Sequence, residues 1–527
     1  MDIETIKAVH DHNKKSQIGF ARLSLALMFV AGVCLWAYVS HGGISNNTFL
    51  IIGAVFGAYM AMNIGANDVA NNIGPAVGSK ALTLFGAIII AAIFEASGAF
   101  IAGGDVVKTV KKGIIDPGLI NDPQIFIWAM TAALLSAALW LNFATSIGAP
   151  VSTTHSIVGG VMGAGIAAAG FSIVDWGTMG KIAASWVISP ILGGLVAALF
   201  LYYIKKTIIY QKDMISCAKK VVPILIAIML MVFSTYLILK GIKKIVKVDF
   251  LTALTIGTTF ATAAYFLVKP MIVKQSLKLE NNRASLNTLF TVPLIFSAAL
   301  LSFAHGANDV ANAIGPLAAI NDAIIGGEIS QKAEIPLWVM AVGAFGLVIG
   351  LALYGPKLIR TVGSEITELD QIRAFSIAIA AAITVIIASQ LGLPVSSTHI
   401  TVGGVFGVGL LREFLDGSEA RFRIYTKKKF ENNMKLYENS LRELEKLESL
   451  DKKLKADYVK IVGLYKTIET TQEILKDEED DFKNAKKIQY VKRDAIKKII
   501  AAWIITVPAA SMISAGIYFM IRGIVLP

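Results

Sequence analysis

The sequence predicts an all-α polytopic membrane protein with about twelve membrane segments, some of them broken or re-entrant, and one charged helical insert. Three observations predict it: an uneven distribution of charge, a series of apolar runs of membrane-crossing length, and an internal repeat. Of 527 residues, 55% are hydrophobic and 16% charged. Residues 413–498 hold 21 Lys+Arg and 18 Asp+Glu, whereas charged groups make up only about a tenth of everything else. A chain so poor in charge over so many residues is not a soluble enzyme, a secreted disulfide scaffold or a disordered chain.

The elements follow in order. Residues 1–44 form a polar N-terminal segment, without a cleavable signal pattern, and a first membrane helix. Apolar runs long enough for a ~30 Å hydrocarbon core lie near 20–40, 82–102, 125–147, 180–204, 219–240, 250–268, 336–354, 373–391 and 499–522. Shorter runs lie near 48–64, 151–170, 287–304 and 395–411. No segment alternates as barrel strands do, and helices satisfy their own backbone groups in lipid. The net charge of +12 includes the pairs Lys205-Lys206, Lys219-Lys220 and Lys243-Lys244 between apolar runs. That pattern fits short cytoplasmic loops of a bilayer protein and no nucleic-acid partner. Cys34 and Cys217 belong to no metal or redox motif.

Residues 65–75 read GANDVANNIGP and residues 306–316 read GANDVANAIGP, matching at ten of eleven positions. Residues 150–165, PVSTTHSIVGGVMGAG, and 394–409, PVSSTHITVGGVFGVG, match at eleven of sixteen. A weaker echo pairs Lys108-Thr109-Val110 with Arg360-Thr361-Val362. The order is the same each time, so the chain contains two homologous halves, 45–205 and 285–412, with 206–284 joining them and a last membrane helix at 499–527. The segment 413–498 reads as a helical hairpin. Leu454, Tyr458, Ile461, Tyr465 and Ile468, spaced 4, 3, 4, 3, suggest a coiled-coil seam, which Tyr437, Leu441 and Leu444 begin to mirror. Its charge places it most simply in the cytoplasm, as a dimerisation or regulatory domain or as a solvated spacer.

Each GANDVAN motif is expected to break a membrane helix. Asn67, Asp68 and Asn71, and Asn308, Asp309 and Asn312, are hard oxygen ligands suited to Na+. The carboxylates Asp68 and Asp309 are the principal metal-ion ligands expected. A carboxylate at the bilayer centre costs at least ~2.5–3.5 kcal/mol and needs a partner. The competing expectation pairs Asp68 with a distant lysine such as Lys80. Each PVS[ST]TH motif opens a short apolar helix with Ser152, Thr153 and Thr154, or Ser396, Ser397 and Thr398. Free backbone N–H groups and hydroxyls at a helix start make an oxyanion site, or simply a cap. Thr109 and Thr361 are further candidate ligands. His155 and His399 recur in register and suit helix-end bonding or proton handling. Glu95 lies inside an apolar run and has no acidic counterpart near Gly346–Leu347, so its role is asymmetric. Gly159-Gly160 and Gly403-Gly404 read as close-packing positions.

GANDVAN…GP in both halves, with PVS[ST]TH downstream, resembles the inorganic phosphate transporter (PiT) family, solute carrier family 20 in animals. The resemblance covers both halves. It implies inverted-topology repeats and a permease of the cell membrane that carries inorganic phosphate without covalent chemistry or a tightly bound cofactor. Some members are coupled to Na+, others to protons or metal-phosphate, and a few relatives carry sulfate. Glu95 matches the family's first-half Glu, whereas a second-half Glu important in animal members falls near Ala378 here. For phosphate to enter a cavity lined by Asp68 and Asp309, cations must lie between them. Like charges 4 Å apart repel by ~4 kcal/mol at an effective dielectric of 20. Na+ is the expected co-transported ion, with protonation of the Asp residues as the alternative. The expected partners are phosphate, Na+ and the lipid bilayer; a homodimer is compatible with the insert.

Overall fold

A computed structural model describes residues 3–43, 47–120, 122–146, 151–241, 248–326, 335–365, 370–415, 417–450, 452–487 and 493–525. Among them the secondary structure is helical, apart from a lone bridge between Ile115 and Val174. In chain order the helices are α1 Ile3–His41, α2 Asn47–Asn67, α3 Val69–Gly78, α4 Leu84–Ala102, α5 Gly104–Lys112, α6 Pro123–Ser146, α7 Thr153–Ala169, α8 Trp176–Ile204 and α9 Met214–Lys240. There follow α10 Phe250–Ser276, α11 Arg283–Leu289, α12 Thr291–Ile325, α13 Leu337–Glu365, α14 Gln371–Gln390, α15 Ser397–Leu415, α16 Gly417–Glu448, α17 Lys455–Lys487 and α18 Arg493–Val525. Eleven helical stretches are long and apolar enough to cross a membrane. The 17-residue α7 and the helix α15 are not among them.

Polar residues mark where these helices begin. Thr83 accepts a hydrogen bond from the backbone N–H of Gly86, Asp175 from Thr178, Asp213 from Ser216 and Asp370 from Arg373. Asp249 accepts from both Leu251 and Thr252. Such caps satisfy orphan N–H groups at the first turn. The bond from the Thr178 backbone holds the exposed Asp175 carboxyl below the usual carboxylate range, and the Thr252 hydroxyl does the same for Asp249.

The two halves pack reciprocally. Helix α2 packs on α13 of the other half, and α12 packs on α4. Glycines allow both crossings. A Cβ on Gly65 would lie 2.0 Å from the carbonyl oxygen of Leu347, and one on Gly306 would lie 2.1 Å from that of Glu95. The facing contacts repeat this: Gly350 against Met62, and Gly98 against Phe303. The first glycine of each GANDVAN motif is therefore a helix-crossing position, where a larger residue overlaps backbone. The glycine tails of α7 and α15 behave likewise, as the sequence suggests. Gly159 and Gly163 lie against Val507 and Ser511 of α18, and Gly403 and Gly407 against Pro190 and Gly194 of α8. The reciprocity makes α8 and α18 equivalent companions of the two short helices.

One expectation about the motifs is corrected. The second GANDVAN segment does not break its helix: α12 runs unbroken for 35 residues through Asp309 and Pro316. The first is interrupted only at Asp68, which keeps right-handed helical dihedrals (φ −83°, ψ −33°) and donates its backbone N–H to the Ile64 carbonyl at 2.9 Å. Buried side-chain partners hold the polar residues, so no unwinding is needed to solvate them. Pro75 and Pro316 both lie inside helices.

Residues Gly409–Lys492 form a second compact unit, separate from 1–408 and 493–527. Within it α16 and α17 pair along their length. Ser440, Leu444, Thr471 and Leu475 are buried between them. Asn433 donates to Glu478 at 2.9 Å, and Lys429 lies 3.0 Å from the same carboxylate. The α17 seam differs from the one expected. Leu454, Tyr458 and Tyr465 are exposed, whereas Ile461, Leu464, Ile468, Thr471 and Leu475 line the inner face. The 3,4 spacing is right and Ile461 and Ile468 belong to both rows, but Leu464 takes the inner place expected of Tyr465, and the row continues to Thr471 and Leu475 instead of back to Tyr458 and Leu454.

Candidate functional site

The site is assembled where α2, α3 and α12 meet the N-terminal ends of α7 and α15. Asp68, Asn71, Asp309 and Asn312 are all buried, as are Ser152 to His155 and Ser396 to His399. Pro150 lies outside the described residues. Ser152 and Ser396 cap the short helices, accepting from the backbone N–H groups of His155 at 3.2 Å and His399 at 3.3 Å. The expected oxyanion motif is thus a helix start with its cap formed, and the threonine hydroxyls that follow are directed elsewhere.

Those hydroxyls join the two halves. Asn71 donates to Thr398 at 2.8 Å, and its counterpart Asn312 donates to Thr154 at 3.1 Å and to Thr153 at 3.4 Å. Each asparagine reaches the short helix of the opposite half. The other asparagines anchor the approach to each short helix. Asn67 donates to Thr145 at 3.0 Å, near the end of α6, and Asn308 donates to Ser389 at 3.0 Å, near the end of α14. Asn308 also accepts from the backbone N–H of Val395. The hydrogen-bonding pattern is therefore two-fold, with Asn71 and Asn312 central and Asn67 and Asn308 supporting.

The carboxylates break that symmetry. Asp68 accepts from Thr153 at 2.7 Å and from Thr398 at 3.4 Å. The equivalent bond from Ser397 to Asp309 is not made, and the Ser397 hydroxyl is buried without a hydrogen-bond partner. Asp309 instead lies with Oδ2 2.8 Å from Nε2 of His305, one turn earlier on α12, and its oxygens accept no hydrogen bond of good geometry. Nδ1 of His305 lies 2.7 Å from Glu95, whose other oxygen accepts from Asn72 at 3.0 Å. Asp68, His305 and Asp309 each offer an atom within 4.8 Å of the others. No lysine pairs with either aspartate among the described ion pairs; Lys80 stands at the end of the α3 turn with φ 60°.

The sequence marks Glu95, Asn72 and His305 each as a departure from the repeat, but does not link them to one another. Asn72 is the single mismatch between the GANDVAN motifs, facing Ala313 in the repeat, and His305 corresponds to Ile64. Glu95 corresponds to Leu347, because these two carbonyls meet the equivalent glycines Gly306 and Gly65. The three polar residues that depart from the repeat are therefore bonded to one another. Their counterparts Ile64, Leu347 and Ala313 are all apolar and fully buried.

Thr109 is not brought to this centre. Its hydroxyl donates to the Gly392 carbonyl at 2.7 Å, in the loop before α15, so it braces that loop. The Thr361 side chain lies outside the described residues, although its backbone belongs to α13. His155 and His399 face each other across the two halves, with ring centroids 4.6 Å apart and edge-to-face. Trp186 packs on His155 and Trp503 stacks on His399. Their packing is that of a buried aromatic block joining α7 to α15.

Cations suit this centre chemically. Three buried carboxylates, Asp68, Asp309 and Glu95, face one imidazole, and acceptor atoms of Asp309 and Asn312 remain unpaired. Hard monovalent ions take carboxylate, amide and hydroxyl oxygens, and unpaired carboxylates away from water are costly. Beside them, the starts of α7 and α15 carry the dipole and hydroxyl donors that suit an oxyanion.

Comparison with known proteins agrees. Two Helicobacter pylori proteins, each carrying the name "Putative phosphate permease", are 51% identical over 98% of this chain and 98% of their own length. A Pyrococcus abyssi protein of the same description is 40% identical over 69% of this chain and 89% of its own. A solved structure described as "The sodium-dependent phosphate transporter" is 31% identical, covers 90% of this chain and 99% of that one, and superposes with a TM-score of 0.71. Residues 64–514 match the phosphate transporter family, and with that span matched, this multi-pass membrane protein belongs to the phosphate transporter family.

Proposed function

We propose that this phosphate transporter is a Na+-coupled symporter that works by alternating access. The observation that carries the proposal is the crossed pair of bonds, Asn71 to Thr398 and Asn312 to Thr154, beside the Asp68, His305 and Asp309 cluster. Both halves build one centre, so a change in packing between them re-exposes that centre to the other side without dismantling either motif. Na+ is held by Asp68 and Asp309 with Asn71 and Asn312. Phosphate is held by the starts of α7 and α15, with Thr153, Thr154, Ser397 and Thr398 in reach. Two carboxylates and a dianion place about four negative charges together, so two or three Na+ offset most of the repulsion. The ions and the anion then bind cooperatively. No covalent step and no resident cofactor is required.

A protonated phosphate fits better than sulfate. A phosphate O–H donates to whichever carboxylate oxygen of the acidic centre the Na+ ions leave free, and sulfate, lacking a proton, cannot. Proton coupling is the second reading, favoured by His305 bridging Glu95 and Asp309. Proteoliposome uptake of labelled phosphate under an imposed Na+ gradient or an imposed pH gradient separates the two. Accumulation driven by Na+ alone supports the symport. Accumulation driven by the pH gradient alone, and indifferent to Na+, removes Na+ from the mechanism.

A further inference from the structure

Outside the centre, a cavity of about 360 Å³ lies where α4, α9 and α14 end and α5 begins. Asp105, Lys108, Lys240 and Gln390 line it, against Ile101 and Leu239. Charged and amide groups at three helix ends place it at a boundary with water, where the hydrocarbon stops. Lys240 is the unusual member. Its side chain is only 8% exposed, and its ammonium contacts the Asp105 carboxylate. Lys108 approaches the other oxygen of Asp105 at 3.7 Å. Among the described residues lining the cavity, one carboxylate thus faces two lysines, a net charge of one positive with room beside them.

The cavity is one residue away from the central site. Nζ of Lys240 lies 3.5 Å from the carbonyl oxygen of Ser389. From the other side, Asn308 donates to the hydroxyl of Ser389 at 3.0 Å. The helix that supplies Asp105 and Lys108 also supplies Thr109, which holds the Gly392 carbonyl in the loop leading to α15.

We infer that this cavity is an antechamber that binds inorganic phosphate before it reaches the centre, with Lys240 and Lys108 as its cationic groups and Asp105 as an internal carboxylate that the arriving oxyanion displaces. The inference rests on the phosphate-transport reading and adds a second anion site to it. A carboxylate is the protein's own stand-in for a phosphate oxygen: both take charge-assisted hydrogen bonds from ammonium groups at similar lengths. The need for such a site follows from charge. The centre is acidic, so an anion arriving from water meets repulsion unless a positive cavity concentrates it first. The bland alternative is a salt bridge that only fastens α5 to α9.

The two differ in what removal of each partner does. For a structural bridge, removing either partner has the same effect. For an antechamber, the effects are opposite. The experiment uses the full chain in proteoliposomes, measuring initial uptake of labelled phosphate at a fixed Na+ gradient and at two ionic strengths set with choline chloride. Lys240→Gln is expected to raise KM roughly five- to ten-fold, the effect of one partly screened charge, with Vmax falling far less. Asp105→Asn is expected to lower KM. Lys240→Arg retains the wild-type KM and shows that the position tolerates substitution. Lys108→Gln, at a position 73% exposed, raises KM by a smaller factor. The wild-type KM rises with ionic strength and that of Lys240→Gln rises less, because screening acts on the lost charge. Unchanged KM and an unchanged salt response in Lys240→Gln and Lys108→Gln overturn the antechamber while wild-type uptake stands. Parallel loss in Asp105→Asn and Lys240→Gln assigns the pair to folding and overturns it too. A wild type that takes up no phosphate overturns the transport reading and this one with it.

Discussion

Asp68 and Asp309 occupy the same place in the same motif, yet one accepts two hydroxyls and the other lies against a histidine. Asp68→Asn keeps an oxygen for Thr153 and removes the charge, so the fold survives. Its Na+-driven uptake is expected to fall by roughly a hundred-fold or more, as for loss of a buried charge partner. Asp309→Asn behaves alike, and normal uptake by both in the vesicle assay contradicts the ion assignment. Glu95→Ala leaves His305 and Asn72 buried without their shared carboxylate, and a loss of about 3–5 kcal/mol is expected. Glu95→Gln keeps part of the network and loses less, so their melting curves in detergent should separate. The chemistry of the paired Asn and Asp residues was legible in the sequence because the repeat displays it twice. The His305, Glu95 and Asn72 cluster was harder to see, because its members come from three helices and are recognisable only as the places where the repeat fails. Thr109 looked like a ligand by position, but nothing in a linear pattern shows that its hydroxyl finds the Gly392 carbonyl.

At the level of elements, glycine decides how closely the helices approach. Gly306→Ala places a methyl against the Glu95 carbonyl, with 2.1 Å available. It is expected to cost at least ~1–3 kcal/mol, as overpacking does, or to abolish folded expression. Gly516→Ala on α18 meets nothing within 4 Å and is expected to be neutral or stabilising by ~0.5–1 kcal/mol; yields on size-exclusion chromatography compare the pair. The caps carry a pH signature. Asp175 and Asp249 are held below the usual carboxylate range by their threonine partners. Their stabilisation is present above the unfolded pKa and is lost as pH falls through the depressed folded value. An Asp175→Ala, Asp249→Ala protein should melt lower than wild type at pH 7, and the gap should close below about pH 4. Helix positions followed well from apolar runs. The continuity of α12 did not, because Asn, Asp and Gly-Pro read as breakers until their partners on α7 and α14 are known. The α17 stripe shows the same limit: spacing gave the period, and only the inner row facing Ser440 and Leu444 fixed the phase.

For the whole molecule, the repeat predicted a shared centre, and the crossed asparagine bonds show how it is shared. The Pyrococcus abyssi relative aligns over 69% of this chain while covering 89% of its own length, and the Gly409–Lys492 unit is compact in its own right. Replacing Gly417–Lys487 by a short flexible linker is accordingly expected to leave Na+-driven uptake near the wild-type rate, which the same vesicle assay checks. The central claim is that cations hold the acidic centre and the oxyanion together. Calorimetric titration of phosphate into the purified protein, in NaCl and again in choline chloride at equal ionic strength, tests it most directly. The account predicts binding at least ~5-fold tighter in Na+, within the usual range of coupling energies, and loss of that difference in Asp68→Asn. Equal affinity in the two salts contradicts it.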